Sequence, residues 1–337
     1  MTDPANELDV FKLTPRLIAD VLPAWNLHNA QVRLISISEN LTYRVDSQSS
    51  NEVFVLRIHR PGYHTLEELI AEQHWTDALR QCGIEVPIHV KTSDGRGFVE
   101  LAMPAWDTPR HVGLARWMKG RLLIDHDGAD SGVGLVERYR QLGAIMAAMH
   151  NQATGWSPPA GFSRHSFDAD GLMGETPFWG RFWEHPGLSH DQRRLLNRIR
   201  GVLHHRLSQF SKTGGGYSMI HADMHQGNLL IDGDRLRVID FDDAGFGFHL
   251  YDVAVALFHL RHRDDFAELR DSIISGYSPV RWPRFLQQDL SMFLLVRSLA
   301  SLGWIADRPE IDQSRVPGMI KSCVEMSNEF LSARSQD

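Results

Sequence analysis

Only two cysteines occur in the 337 residues, Cys82 and Cys323, far apart and in no metal-ligand spacing. A disulfide scaffold and a thiolate metal site are thereby excluded, and a reducing compartment is the simplest reading. The opening residues, MTDPANELDV, hold neither a basic stretch nor the apolar run of a secretory leader. Apolar stretches near residues 253 and 292 are broken by His259, Arg261 and Arg297, short of the ~18 residues that a membrane span requires. Positive charge is not in excess either: 35 Lys and Arg against 42 Asp and Glu give a net charge of −7. A nucleic-acid partner held by phosphate neutralisation would need a basic face. The expectation is a cytoplasmic protein with neither a nucleic-acid nor a membrane partner. No internal repeat and no low-complexity tract occurs.

Hydrophobic residues make up 42% and charged residues 23%, enough to bury a large core. Thr14 and Pro15 read as the N-cap and first position of a helix. The runs QVRLISIS, LTYRVD and NEVFVLRIH then alternate as an antiparallel meander. Residues 66–82 carry apolar side chains at helical spacing, and PIHVKTS and GFVELAM read as two further strands. From about residue 120 the pattern is helical, with Ser189 and Gln192 as a capping box and an irregular, aromatic-rich insertion over 155–188. LLI and RLRVI, joined through Asp232 and Gly233, read as a β-hairpin.

That hairpin carries the chemistry. Asp223 and Asn228 precede it and Asp240 follows it, and a hairpin returns its two ends to one place. Two oxygen-bearing side chains and a carboxylate converging there suit a hard cation and a reacting hydroxyl. His221, Asp223 and Asn228 also fit the register of the kinase catalytic loop H-R-D-x-x-x-x-N, with Ala222 in place of Arg and D-F-D in place of D-F-G.

At HADMHQGN, IDFDDAGFG and YDVA the sequence resembles the aminoglycoside phosphotransferase and choline kinase superfamily, nearest to the branch of type II homoserine kinase and stress response kinase A. The resemblance implies an α+β, two-lobed, protein-kinase-like fold. Its small antiparallel β lobe with one crossing helix would cover residues 1–116, its hinge 117–120, and its larger, mainly helical catalytic lobe 121–337. It implies ATP and Mg²⁺, with Asn228 and Asp240 on the metal, Asp223 on the acceptor hydroxyl and His221 steadying the loop. Ser38, Glu39 and Asn40 would form the nucleotide-phosphate loop, although the G-x-G-x-x-G glycines are missing. Arg57 stands where kinases usually carry a phosphate-binding Lys, oriented by Glu72 or Glu68, with Glu72 in better helical phase. Backbone groups of Arg116, Trp117 and Met118 would meet the adenine. Asp252 is expected to hold the catalytic loop.

The expected acceptor is a small amine-bearing molecule drawn by Asp242 and Asp243, with His225 facing either substrate or solvent. Trp179, Trp183 and Trp304 would supply aromatic contacts. Arg297 would clamp a carboxylate, which makes a hydroxy amino acid the specific expectation. A protein serine or threonine acceptor and a nucleotide-binding pseudokinase stay open as alternatives. A zinc hydrolase built on HxDxH is disfavoured because Asn228 is a poor zinc ligand. A haloacid-dehalogenase-like phosphatase is disfavoured because no βαβ series precedes Asp240.

Overall fold

In the computed structural model the described residues are 16–38, 40–102, 107–125, 133–210, 216–281, 287–306, 308 and 311–333. The alternating runs form β1 (Ala30–Ile37), β2 (Leu41–Ser47), β3 (Val53–Ile58), β4 (Phe98–Leu101) and β5 (Arg110–Arg116). They make one antiparallel sheet in the order β1-β2-β3-β5-β4. On β2 and β3 the period of two sends Leu41, Tyr43, Val45, Phe54, Leu56 and Ile58 to one face, where they pack with Ile18, Leu22 and Trp25. Burial of each large apolar side chain there contributes about 1.5–3 kcal/mol. Thr42, Arg44, Asp46, Val55 and Arg57 occupy the other face. The expected cap at Thr14 and Pro15 lies outside the described residues, and 16–21 are helical.

Helix α1 (Leu66–Gln81) begins at a capping box in which Thr65 and Glu68 exchange hydrogen bonds. It buries Leu69, Glu72, Thr76 and Leu79 on one face, as the periodicity predicts. The expected strand over 87–93 is corrected. It amounts to an isolated bridge between His89 and Ala115 and single bonds such as Val90 N–H to Leu114 O, 2.8 Å. Pro87 at its start has no N–H to give to a ladder.

The second part contains β6 (Arg121–Leu122), α2 (Val133–Gly155), β7 (Ser166–Phe167), α3 (His190–Gln209), β8 (Tyr217–Ile220), β9 (Leu229–Asp232), β10 (Arg235–Val238) and β11 (Gly245–Phe248). Helices α4 (His249–Phe258), α5 (Phe266–Tyr277), α6 (Gln287–Ala306) and α7 (Val316–Ala333) complete it. Its two small sheets run β10-β9-β6 and β7-β11-β8. The Ser189–Gln192 capping box at the start of α3 is present.

Helix α6 corrects one sequence expectation. Its window Asp289–Ala306 is long and apolar enough to cross a membrane, because a single arginine does not offset so many leucines. Yet 61% of that window is buried inside the protein and Arg297 makes an ion pair there, so α6 is a core helix.

The chain divides into two compact units, Met1–Gly120 with Pro158–Ser163, and Arg121–Ser157 with Arg164–Asp337. One is built on the five-stranded sheet and the other is mainly helical, which is the two-lobed α+β kinase-like architecture. The return of 158–163 to the first unit has no signature in the sequence.

Candidate active site

β9 and β10 pair from Leu229 with Val238 to Asp232 with Arg235, and Gly233 turns the chain with φ +59°. One further bond, Ile239 N–H to Asn228 O at 3.0 Å, extends the pairing to the hairpin's open end. Asn228 therefore lies beside Ile239, and Asp240 is the next residue. Asp240 has φ +68°, a left-handed conformation costing a non-glycine residue roughly 1–2 kcal/mol.

The loop before β9 is tied down at several points. The His221 ring accepts Asp223 N–H at Nδ1 (3.2 Å), so its Nε2 donates to Ile239 O (3.1 Å) and bridges the two arms of the hairpin. Asp252 of α4 accepts the N–H of His221 (3.1 Å) and of Ala222 (2.6 Å). His150 of α2 lies 3.0 Å from Asp252 through Nε2 and 2.9 Å from the Tyr277 hydroxyl through Nδ1. His249 stacks on His150, with centroids 4.0 Å apart, and meets the Ser218 hydroxyl at 2.8 Å. Burial pushes Asp252 up to about 6 and His150 down to about 3. The expected role of Asp252 as loop support thus has a named set of partners.

Asp223 is the focus of the site. Its Oδ2 accepts Asn228 Nδ2 (2.9 Å) and lies 3.3 Å from His225 Nε2, while its Oδ1 accepts Arg297 Nη2 (2.9 Å). Burial opposes its charge, but His225 and Arg297 outweigh burial and hold the carboxyl well below the usual carboxylate range. Asn228 Nδ2 also donates to Asp223 O (3.0 Å), which turns the amide oxygen away from Asp223. Gly227 N–H donates to His225 Nδ1 (2.9 Å), so the ring presents Nε2–H to Asp223. A Cβ on Gly227 would stand 2.7 Å from His225 Cε1, and glycine is what lets the ring sit over this turn.

Arg297 reaches Asp223 from α6. Its guanidinium lies 5.4 Å from the Trp179 ring centroid, and the carboxylates of Asp223 and Asp243 keep it charged against burial. Close packing of α6 on the insertion makes this possible: a Cβ on Gly303 would meet Gly180 O at 2.6 Å. The sequence singled out Arg297 for a different partner, and this bond was not foreseen. Arg164 and His165 were missed altogether. Arg164 donates to the carbonyls of Asp242 and Ala244, and His165 Nε2 lies 3.1 Å from Asp243 O, so both hold the segment after Asp240. Asp242 is buried and Asp243 half-buried. Trp183 packs under Arg200 and Trp304 under Arg308, while Trp179 lies beside Arg297.

In the first unit Arg57 sits on β3 opposite Thr42 and Gly113. Glu72 is buried with Oε1 3.8 Å from His89 Nε2, and burial followed by the charge of Arg57 lowers His89 to about 4. Arg57, His89 and Glu72 thus share one neighbourhood, whereas Glu68 is engaged by Thr65 and His64. Asn40 accepts Arg60 N–H (3.2 Å) and its carbonyl accepts Ser38 N–H (3.2 Å), which shapes the loop; Glu39 lies outside the described residues. The amides of Arg116 and Trp117 donate to Ile88 O and Val53 O, so Met118 is the first of the three whose N–H follows the sheet. A cavity of about 610 Å³ opens beside β2, lined by residues including Arg33, Arg44, Asp46 and Glu52. Arg44 stands 4.9 Å from the Trp117 ring centroid.

Oxygen donors suit a hard cation, and Asn228 and Asp240 supply an amide oxygen and a carboxylate at adjoining positions, so the residues fit Mg²⁺. The model of the phosphotransferase enzyme family (APH) matches residues 31–286. A microcompartment-associated aminopropanol kinase of known structure is 30% identical, with TM-score 0.80 over 94% of this chain and 98% of its own. Amicoumacin kinase of Bacillus subtilis (strain 168) is 20% identical over 247 residues, 73% of this chain and 68% of its own. Homoserine kinase of Neisseria meningitidis serogroup B is 29% identical over 164 residues, 46% of this chain and 48% of its own. A family match across most of the chain decides the assignment: the chain belongs to the phosphotransferase enzyme family and is an ATP-dependent kinase with an alcohol group as acceptor.

Proposed function

We propose that this kinase phosphorylates the hydroxyl of a small amino alcohol in the cytoplasm. The observation that carries the reading is the 2.9 Å bond from Arg297 to Asp223. A cation bound to the catalytic carboxylate is engaged there and is a poor clamp for a carboxylate on the acceptor. Asp242 and Asp243, next to the metal-holding Asp240, add negative charge beside the reacting centre, which favours an ammonium group. The 30% identity to an aminopropanol kinase supports the same choice over a hydroxy amino acid.

In this reading Asp223 accepts a hydrogen bond from the acceptor hydroxyl and aims its oxygen at the γ-phosphorus. The new O–P bond forms as the bond to the bridging β,γ-oxygen breaks, ADP leaves, and the proton passes to Asp223 and then to water. A carboxyl held at low pKa is a weak base, so the proton moves late, which suits a loose transition state with little charge on the attacking oxygen. Asn228 and Asp240 would hold Mg²⁺, which when bound offsets the charge of the nucleotide phosphates. Arg57, steadied by Glu72, meets the phosphates together with the Ser38–Asn40 loop, and the 116–118 segment receives the adenine.

ADP release with amino alcohols, hydroxy amino acids, neutral sugars and a serine peptide as acceptors tests this. The amino alcohols should exceed the other classes by at least ~10-fold in kcat/KM, about the discrimination of one charged contact. A preference for neutral sugars or for the peptide contradicts it.

A further inference from the structure

Asp223 is gripped from three sides, by Asn228 and His225 at Oδ2 and by Arg297 at Oδ1. The first two partners come from its own loop. The third comes from α6, some seventy residues later in sequence, and fixes the carboxylate against rotation from outside the loop. Arg297 is itself held: its side chain is 12% exposed, the Trp179 ring lies under its guanidinium, and the Asp243 carboxylate adds a favourable charge interaction. A single charge-assisted N–H from a side chain braced on a packed helix fixes one oxygen of the carboxylate, and the loop contacts at the other oxygen then set its orientation.

We infer that Arg297 is a positioning residue for the phosphoryl transfer, acting through Asp223 and not through the acceptor. With Oδ1 occupied by Arg297, and Oδ2 shared by Asn228 and His225, the carboxylate is fixed about its Cβ–Cγ bond. Its remaining lone pairs then meet the acceptor hydroxyl at one angle. Losing a near-attack geometry slows the chemical step while leaving ground-state binding intact. The inference rests on the kinase reading above.

The experiment is a double-mutant cycle on the full-length protein, with Arg297→Met, Arg297→Lys, Asp223→Asn and the combined variants assayed on the preferred acceptor. Arg297→Met should lower kcat by ~10-fold or more, with KM for the acceptor and MgATP affinity within about 3-fold of the parent. Arg297→Lys should recover part of the loss, since it restores the charge and a donor but not the length and planar shape of the guanidinium. In the Asp223→Asn background, Arg297→Met should slow the reaction by no more than about 2-fold, because two residues acting as a unit are not additive. If Arg297→Met fails to bind MgATP and so has not folded, the same comparison is made with Arg297→Lys. A loss confined to KM, an unchanged kcat, or equal losses in both backgrounds overturns the inference. Absence of activity in the parent protein with every acceptor class would instead overturn the functional reading.

Discussion

Ala222 donates its amide to Asp252 Oδ1 at 2.6 Å, and it does so from a left-handed backbone, φ +66°. That conformation carries the chain from His221 around to Asp223, and the buried carboxylate holds it there. Asp252→Asn would put an amide nitrogen where an acceptor is needed, against either the loop amides or His150 Nε2. Leaving a buried donor unmatched should cost about 2–4 kcal/mol, and chemical denaturation measures it. Turnover should fall alongside, since the loop that carries Asp223 loosens. Unchanged stability would show that the carboxylate is not what holds the loop.

Ala222→Val tests the same turn from the other side. A β-branched residue at positive φ is strongly disfavoured, and the site is fully buried, so a loss of at least ~2 kcal/mol is expected. Ala222→Gly should stay within about 1 kcal/mol of the parent, because relief of strain offsets the added freedom of the unfolded chain. Equal thermal midpoints for Val and Gly variants would contradict the role assigned to the backbone.

Much of this was legible in the sequence. The hairpin LLIDGDRLRV announces itself through its alternation and its turn, and a hairpin must bring Asn228 and Asp240 together. Helical phase favours Glu72 over Glu68 for the buried face of α1, and Glu72 is buried there. Contacts between distant segments carry no such local signal. Arg297 was noticed as a charge inside an apolar helix, but nothing in its neighbourhood names Asp223 as its partner. His150 ends an ordinary amphipathic run, and its bond to Asp252 depends on how α2 and α4 pack. Arg164 and His165 grip backbone carbonyls, which leave no trace in side-chain chemistry. Residues 87–93 have the composition of a strand, yet they make only an isolated bridge at His89.

Acid should weaken the fold from a pH well above the carboxylate range. Burial holds His150 down to about 3, burial with help from Arg57 holds His89 down to about 4, and burial lowers His249 further. Unfolded histidines take up protons below about 6.5, so the unfolded chain binds more protons than the native one and stability falls as pH drops. Asp252 works the other way, because its raised value near 6 lets the native state take up a proton first. Three histidines outweigh one carboxyl. The urea midpoint should therefore decline between pH 7 and pH 5, and a flat or rising midpoint would contradict the neutral, buried state of these rings.

Arg57→Ala should weaken MgATP binding while leaving the acceptor KM nearly unchanged, because Arg57 lies on the five-stranded sheet beside His89 and Glu72, where the phosphates are proposed to bind. Arg57→Lys should recover only part of the loss, as a point charge does not reproduce a guanidinium fork on phosphate. Titration of each variant with MgATP reads this directly. An unchanged affinity in Arg57→Ala would leave the residue as an ordinary strand arginine.

Asp223 is assigned to the acceptor and Asp240 to the metal-bound nucleotide, and one paired measurement separates them: MgATP affinity and turnover in Asp223→Asn and in Asp240→Asn. Asp223→Asn should keep MgATP affinity within about 3-fold and lose at least ~10²-fold in turnover, about the worth of a placed general base. Asp240→Asn should lose both. Near-normal turnover in Asp223→Asn, or intact MgATP affinity in Asp240→Asn, would contradict the account.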